Sequence, residues 1–323
     1  MTEQDKKLSD AIENGNIEEV KSLLGSWFSK PDVNAISKYE RPALENAIYF
    51  KNYEIAKVLI ENGSDVNNMH KNTTPLMLVI ENELPNNFVK LLLENGANPN
   101  KCHDDGYSPL MDAASNGSLE IVKLLVKHGA NLSLEDESGC NVLYYSYKST
   151  DIFKYLLSNG MKITNHADKK TGRTLLANAA LHNQEFIVKT FVEAGADVNS
   201  VDSMGNTALS FAVGNDNFEM VQYLIEKGAR VTDMAMVEYY KYNPQLFKLL
   251  LSNGGNINAR YEDGRTILLL RASTGQLDLF KQLIQSGADL DAKDNEGNDV
   301  YYYAERNEDI KNYLNEFKSI QKE

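Results

Sequence analysis

A five-residue motif that recurs at a nearly fixed spacing constrains the fold of this chain more than any other feature. Each copy runs glycine, small residue, polar residue, aliphatic residue, and asparagine or a substitute; the copies begin at Gly63, Gly96, Gly129, Gly195, Gly228 and Gly287. Gly63, Gly96 and Gly129 are 33 residues apart, and the same interval separates Gly254 from Gly287. A constant period of this size is typical of a repeat array, in which each unit packs on its neighbours instead of around one central core.

Each period has the pattern of two short helices joined by a turn. Apolar residues fall at helical spacing in two blocks, such as 110–114 and 121–125, and Asn116-Gly117 between them is a turn signal. The glycine that opens the motif follows the second helix, where a left-handed residue commonly ends a helix. Candidate N-caps precede the first helices at Ser108, Thr174, Thr207 and Thr266. We therefore predict helical hairpins joined by extended, finger-like turns.

The segment that leads into the first helix carries a family signature. It reads Gly106-Tyr-Ser-Pro-Leu110-Met-Asp-Ala-Ala114, Gly172-Arg-Thr-Leu-Leu176-Ala-Asn-Ala-Ala180 and Gly205-Asn-Thr-Ala-Leu209-Ser-Phe-Ala212, and one repeat closes with Phe191-Val-Glu-Ala-Gly195-Ala-Asp-Val-Asn199. These segments resemble the motifs G-x-T-P-L-H-x-A-A and L-L-x-x-G-A-D-V-N of the ankyrin-repeat family. The resemblance covers nearly the whole chain. It implies an all-α solenoid of about ten helical-hairpin units, in which fingers and first helices line a concave binding surface.

We expect residues 1–323 to form a single array. Its predicted parts are an irregular N-terminal unit 1–36, regular units 37–230, a finger-less unit 231–258, a unit 259–291 and a C-terminal capping unit 292–323. Between Gly228 and Gly254 the spacing falls to 26 residues and the finger with its T-P-L start is missing. A missing finger predicts a notch in the row of fingers.

The sequence departs from the family pattern at one position of every repeat. The histidine of the T-P-L-H motif is replaced throughout, for example by Glu45, Met77, Met111 and Ser210. In the family this histidine ties neighbouring loops together, so the resemblance implies loosely coupled units. Tyr301 occupies the leucine position of the last first helix, and we expect its side chain in the core.

Composition limits the class of partner. The formal net charge is −13, whereas binding a phosphate backbone needs a surplus of Lys and Arg on one face. No apolar run approaches the ~20 residues of a membrane span, and the N-terminus lacks the apolar region of a secretory signal. Cys102 and Cys140 have no CxxC spacing, which favours free thiols in a reducing compartment. We expect a cytoplasmic monomer, with secretion by a route without a classical signal left open.

A search for catalytic motifs indicates a protein that is not an enzyme. The chain contains no G-x-S-x-G, no phosphate-binding glycine loop and no H-E-x-x-H. Cys102-His103 with Asp104 and Asp105 is a candidate metal cluster, but one adjacent Cys-His pair lacks the ligand spacing of a tetrahedral zinc site. We therefore expect no catalytic residues, no cofactor and no metal.

Tyrosine and acidic residues are the candidate contact residues. Many of the 17 tyrosines fall on first helices or fingers, where tyrosine offers a large contact area at low cost in conformational entropy. Acidic fingers either keep the array soluble or attract a basic partner and speed its association. The predicted partner-binding residues are Asp104, Asp105, Tyr107, Tyr144, Tyr145, Tyr147, Tyr239, Tyr240, Tyr242, Tyr261 and Tyr302.

Together these patterns predict a protein-binding scaffold that captures another protein on its concave face. The acidic charge makes a basic partner an option, in an adaptor, inhibitor or immunity-type role. A microbial effector that acts on host proteins through the same surface is the alternative. An enzyme with a site near residues 232–244, and a self-assembling array, are alternatives of other classes.

Overall fold

The computed structural model describes residues 2–26, 30–37, 40–163, 167–238 and 243–320, without the side chains of residues 319 and 320. Residues 1–166 form one compact unit and residues 167–323 form another. We describe each unit by itself. One array that runs through both units stays a prediction.

The first unit is a series of helical hairpins. Its helices are α1 (Glu3–Glu13), α2 (Ile17–Leu24), α3 (Ala43–Tyr49), α4 (Tyr53–Glu61), α5 (Pro75–Glu81), α6 (Asn86–Glu94), α7 (Pro109–Ser115), α8 (Leu119–Lys127), α9 (Val142–Tyr145) and α10 (Thr150–Ser158). A 3-10 turn, Ser146–Lys148, extends α9. Each first helix packs on the next first helix, as α5 does on α7 and α7 does on α9.

The second unit is also a series of helical hairpins. Its helices are α11 (Leu175–Leu181), α12 (Glu185–Glu193), α13 (Ala208–Gly214), α14 (Phe218–Glu226), α15 (Asp233–Val237), α16 (Pro244–Ser252), α17 (Ile267–Thr274), α18 (Leu277–Gln285), α19 (Val300–Ala304) and α20 (Glu308–Ile320). The expected all-α fold of helical hairpins is confirmed, while the number of about ten repeats stays a prediction. Among the described helices, none has the length and apolar character needed to cross a membrane.

The predicted capping residues begin and end the helices. The side chains of Ser108, Thr174, Thr207 and Thr266 each accept a hydrogen bond from the backbone three residues on, which satisfies a donor left free by the first helical turn. The motif glycines follow the second helices with positive φ, for example 93° at Gly63 and 88° at Gly129. A side chain there would be strained, so glycine is required at this point of each repeat.

Small and large residues divide the core between them. The alanines of the first helices, such as Ala113 and Ala114, are fully buried, because close approach of neighbouring hairpins leaves no space for a longer side chain. Leu, Val, Ile and Phe from the second helices fill the space between hairpins, as Ile55, Phe153 and Phe280 do.

Fingers are short extended turns closed by backbone hydrogen bonds. His103 N donates to the carbonyl of Tyr107 at 3.0 Å, and in the second unit Asp202 N donates to the carbonyl of Asn206 at 2.9 Å. Successive fingers also bond to one another, for example through Ser203 N and the carbonyl of Thr171 at 2.7 Å. No finger forms between Gly228 and Thr232, because Thr232 is already the N-cap of α15.

The motif asparagines connect consecutive repeats. The Oδ1 of Asn67 accepts from Asn98 N at 2.6 Å and its Nδ2 donates to the carbonyl of Gly96 at 2.9 Å. The same pair of bonds joins Asn100 to Gly129 and Asn131, and Asn199 to Gly228 and Arg230. These bonds join consecutive repeats outside the helices.

At one repeat the residue at the family's histidine position contacts the next finger. Glu45 stands at the family's histidine position, is buried, and bonds through Oε2 to Nδ1 of His70 in the next finger at 2.9 Å. Burial raises the pKa of Glu45. A first-helix side chain at the family's histidine position therefore contacts the following finger.

The expectation that Tyr301 lies in the core is wrong. Its side chain is 42% exposed, and the Nζ of Lys318 in α20 lies 5.1 Å from its ring centroid. The leucine position of a first helix is buried only when the next hairpin covers it. Within the described residues of the second unit, no hairpin follows α19 and α20.

Candidate protein-binding surfaces

The first candidate surface is formed in the first unit by a finger and the two first helices beside it. Tyr107 and Tyr145 meet edge to face, with ring centroids 4.9 Å apart. The hydroxyl of Tyr145 donates a short hydrogen bond to Oδ2 of Asp136. Both tyrosines are half-buried, and burial raises the pKa of each. We call Asp104, Asp105, Tyr107 and Tyr145 the finger surface.

The acidic residues of the finger surface are exposed, but hydrogen bonds hold the turn on which they lie in place. Asp104 N donates to Oδ1 of Asn72 at 2.9 Å, and Oδ1 of Asp105 accepts from Tyr107 N at 3.0 Å. The side chains of Asp104 and Asp105 are both exposed to solvent. The pair therefore adds negative charge to a rigid turn.

The other two predicted tyrosines of this unit are placed differently. Tyr144 is buried with 8% exposure and packs edge to face on Tyr145 at 5.4 Å. Tyr147 is half-buried, with the Nζ of Lys148 5.5 Å from its ring centroid. The buried ring of Tyr144 therefore packs against Tyr145 of the finger surface. Direct contact between Tyr144 and a partner stays a prediction.

A group of charged residues lies beside the finger surface. His103 Nε2 is 2.9 Å from Oε1 of Glu81, and its Nδ1 donates to the carbonyl of Asn72 at 2.8 Å. Asp112 accepts from Nδ2 of Asn116 at 3.3 Å through Oδ1. Its Oδ2 is buried and has no hydrogen-bond partner in the part of the chain that the structure describes. Burial, and then the charge of Glu81, raise the pKa of Asp112 to about 6.

The second candidate surface is a cavity of about 1010 Å³ in the second unit. It lies where the row of fingers is interrupted, between the finger at 202–206 and the finger at 260–266. We call it the notch. Its lining includes Arg173, Met204, Phe211, Asp233, Met234, Val237, Glu238, Arg260, Tyr261, Glu262 and Asp263.

Tyr261 is the predicted contact residue that lines the notch. Its hydroxyl donates to the carbonyl of Val237 at 2.7 Å, which fixes the ring against α15. Burial raises the pKa of Tyr261. Met204, in the opposite finger, is 71% exposed. The notch therefore contains an apolar ring, that of Tyr261, fixed by a hydrogen bond to the backbone, and an exposed methionine opposite it.

Tyr302 is exposed near the C-terminal end of the second unit. Its side chain is 58% exposed and lies edge to face with Tyr303 at 5.3 Å. Tyr303 donates to Oδ2 of Asp294 at 2.5 Å, and this bond is the main reason why the pKa of Asp294 falls to about 2. Tyr303 is thus anchored, whereas the side chain of Tyr302 is exposed to solvent. Tyr239, Tyr240 and Tyr242 lie outside the described residues.

The sequence analysis missed four exposed or unpaired residues. Tyr49 and Phe50 are 55% and 42% exposed at the end of α3, and the Cζ of Arg41 lies 4.0 Å from the centroid of Tyr49. Alignment of Leu44 with Leu110 places them opposite Ser115 and Asn116, so the exposed aromatic pair could have been found. Met204 and Glu238 gave no comparable sequence signal.

Within the described residues, Cys102 and Cys140 are not part of a group of side chains that could bind a metal ion. Across the described ranges, no group of three His, Cys, Asp or Glu side chains is placed to hold a metal ion. Neither Cys102 nor Cys140 takes part in a disulfide bond in the described part of the chain. Burial and the charge of Asp105 raise the pKa of Cys102, which lowers the fraction of reactive thiolate.

Comparison with known proteins assigns the repeats. A family model described as "Ankyrin repeats (3 copies)" matches residues 8–102, 76–167, 162–235 and 233–321. Human neurogenic locus notch homolog protein 1 is 32% identical over 145 residues, which is 45% of this chain. Notch homolog protein 2 from human is 30% identical over 156 residues, or 48% of this chain. Both alignments cover only 5% of the relative's own length.

The matched ranges together cover nearly the whole chain. The chain belongs to the ankyrin-repeat family.

Proposed function

We propose that this protein is a non-enzymatic scaffold that captures a protein partner on its fingers and first helices, in an adaptor or inhibitor role. Ankyrin repeats generally mediate protein–protein interaction. The notch carries the proposal, because a preformed cavity with apolar walls and charged edges can bury a partner's side chains at little cost in ordering.

The finger surface supports the same function. Tyr107 and Tyr145 are oriented by packing and by Asp136, and Asp104 and Asp105 add exposed negative charge. With the net charge of −13, this surface favours a basic partner. An enzyme site near residues 232–244 has less support: residues 239–242 lie outside the described part, and the Tyr261 hydroxyl donates to a carbonyl and not to a base.

Affinity capture from cell lysate tests the proposal. The intact chain is compared with a Met204→Ala, Tyr302→Ala variant, since these side chains are 71% and 58% exposed and their removal leaves no internal cavity. The control is Phe186→Ala, because Phe186 is 41% exposed on α12, at the hairpin end opposite the fingers. Tyr144 is left unchanged, since truncating a buried tyrosine would open a cavity.

We expect a protein that is retained by the intact chain and the control and lost by the double variant. Its mass-spectrometric identification then names the partner. A partner that the double variant retains as well as the intact chain does would contradict binding through this face.

A further inference from the structure

The charged residues that line the notch differ in whether they have partners. Nη2 of Arg173 is 3.3 Å from Oδ2 of Asp202, and Oδ2 of Asp263 is 2.6 Å from Nε of Arg265. Nη1 of Arg260 donates to the carbonyls of Gly264 and Lys293 at 2.7 and 2.6 Å. Asp233 accepts from Nδ2 of Asn256 at 3.3 Å. These residues have neutral or oppositely charged partners already in place.

Glu238 is the exception among the half-buried charges of the notch. It lies directly after α15, and its carboxylate has no hydrogen bond or ion pair with the described residues. Burial alone raises its pKa. A carboxylate that is partly removed from water without a partner is unfavourable, so a cation that enters the notch gains more from it than from a fully solvated acid. Glu262, also in the lining, is exposed.

The walls beside Glu238 are apolar and aromatic. Met204, Phe211, Met234 and Tyr261 line the same cavity. The guanidinium carbon of Arg173 already lies 5.1 Å from the ring centroid of Phe211. An arginine side chain combines an aliphatic stem with a planar cation that stacks on aromatic rings and binds carboxylates through two parallel hydrogen bonds.

We propose that the notch receives an arginine side chain of the protein partner, with its guanidinium against Glu238 and its stem against Met204, Phe211 and Met234. The proposal rests on the proposed function and names the chemistry that the partner presents to this site. A lysine would place its charge in the same position but would lose the second hydrogen bond and the stacking.

Methyl NMR on the full chain tests the proposal with three small probes. Met204 and Met234 line the notch and report on its occupancy when methionine methyl groups carry ¹³C. Nα-acetyl-arginine methylamide is titrated in 150 mM NaCl, and the same titration is made with the citrulline and lysine analogues. Citrulline keeps the shape of arginine without its charge.

We expect saturable shifts of both methionine methyls with the arginine probe and weaker binding of lysine. Glu238→Gln should raise the arginine dissociation constant about tenfold, since a hydrogen bond to a charged group is lost. Glu262→Gln is the matched control, with the same charge change on an exposed lining residue, and should change it less than about twofold. Met204→Ala, which removes an exposed side chain, should weaken binding without Glu238 being altered.

The proposal is overturned if the arginine probe leaves both methyls unmoved, if citrulline binds equally well, or if Glu238→Gln and Glu262→Gln behave alike. These outcomes leave the proposed function standing when the captured partner is still lost by the Met204→Ala, Tyr302→Ala variant. If the arginine probe binds to the notch but affinity capture retains no partner protein, the result contradicts the proposed function and not the arginine site.

Discussion

At the scale of single residues, Asp112 shows how a side chain near a binding surface can carry a cost in stability. Its Oδ2 is buried and has no hydrogen-bond partner among the described residues. The groups that face Asp112 are Glu81, Glu83, His103, Tyr107 and Asn116. Burial and the charge of Glu81 raise the pKa of Asp112 to about 6, from the ordinary value of 3.8. The folded protein therefore binds this proton more tightly than the unfolded chain does.

We predict that Asp112→Asn stabilises the protein at neutral pH. The contribution of Asp112 is fully present below about pH 4 and is lost as the pH rises to about 6, because the charged form is disfavoured only in the folded state. At pH 7.5 the variant should gain on the order of 1 kcal/mol in the free energy of unfolding, and the gain should largely vanish at pH 4. Urea unfolding at both pH values measures it.

Asp104→Asn serves as the control for this experiment, since it makes the same change in net charge at an exposed finger position. The interpretation fails if Asp112→Asn is no more stable than the wild type at pH 7.5, or if the control gains as much.

At the scale of structural elements, the asparagine bonds between repeats matter because they join neighbouring motifs outside the core. Asn100 bonds to the carbonyl of Gly129 and to Asn131 N. Ser133 stands at the next equivalent position, and its side chain makes no such bond with the described residues, which leave out 164–166.

We predict that Asn100→Ala lowers the free energy of unfolding by about 1 kcal/mol, since two partly solvated hydrogen bonds are lost. Ser133→Ala provides the matched control at the same repeat position and should change stability by less than about 0.5 kcal/mol. Chemical denaturation of both variants decides between them, and equal effects would show that the asparagine bonds do not couple the repeats.

Much of the architecture of the elements was predictable, because helix caps, glycine turns and apolar spacing are local signals. Ser108 and Thr207 were predicted as caps and act as caps. The exposure of Tyr301 was not predictable from its repeat position, since burial at that position depends on a following hairpin. The lack of a partner for Glu238 among the described residues was not predictable either, because it depends on which side chains the fold brings near this carboxylate.

At the scale of the whole molecule, charge affects association with a partner. The net charge is −13, and Asp104 and Asp105 add to it from an exposed finger. Attraction between such a surface and a basic partner acts over about 8 to 10 Å at physiological ionic strength and mainly raises the association rate.

We predict that Asp104→Asn with Asp105→Asn slows association with the captured partner about two- to threefold at low salt and flattens its salt dependence. Asn at position 105 retains an Oδ1 that can accept from Tyr107 N, so the finger should keep its shape. Glu18→Gln with Glu19→Gln, on exposed positions of α2, is the control of equal charge. Stopped-flow or surface-based kinetics measure the rates; rates that are indifferent to both salt and the finger substitutions would exclude steering by this finger.

The shortened junction between Gly228 and Thr232 has a consequence for how specificity can arise in such a chain. The interval from Gly228 to Gly254 is 26 residues against the usual 33, so a deletion of about one finger's length opens the notch without any change to its walls. Related chains that differ only in the length of this loop would then present either a closed ridge or an open socket. Recognition would be gained or lost by an insertion or deletion, and comparison of substitutions alone would not detect the difference.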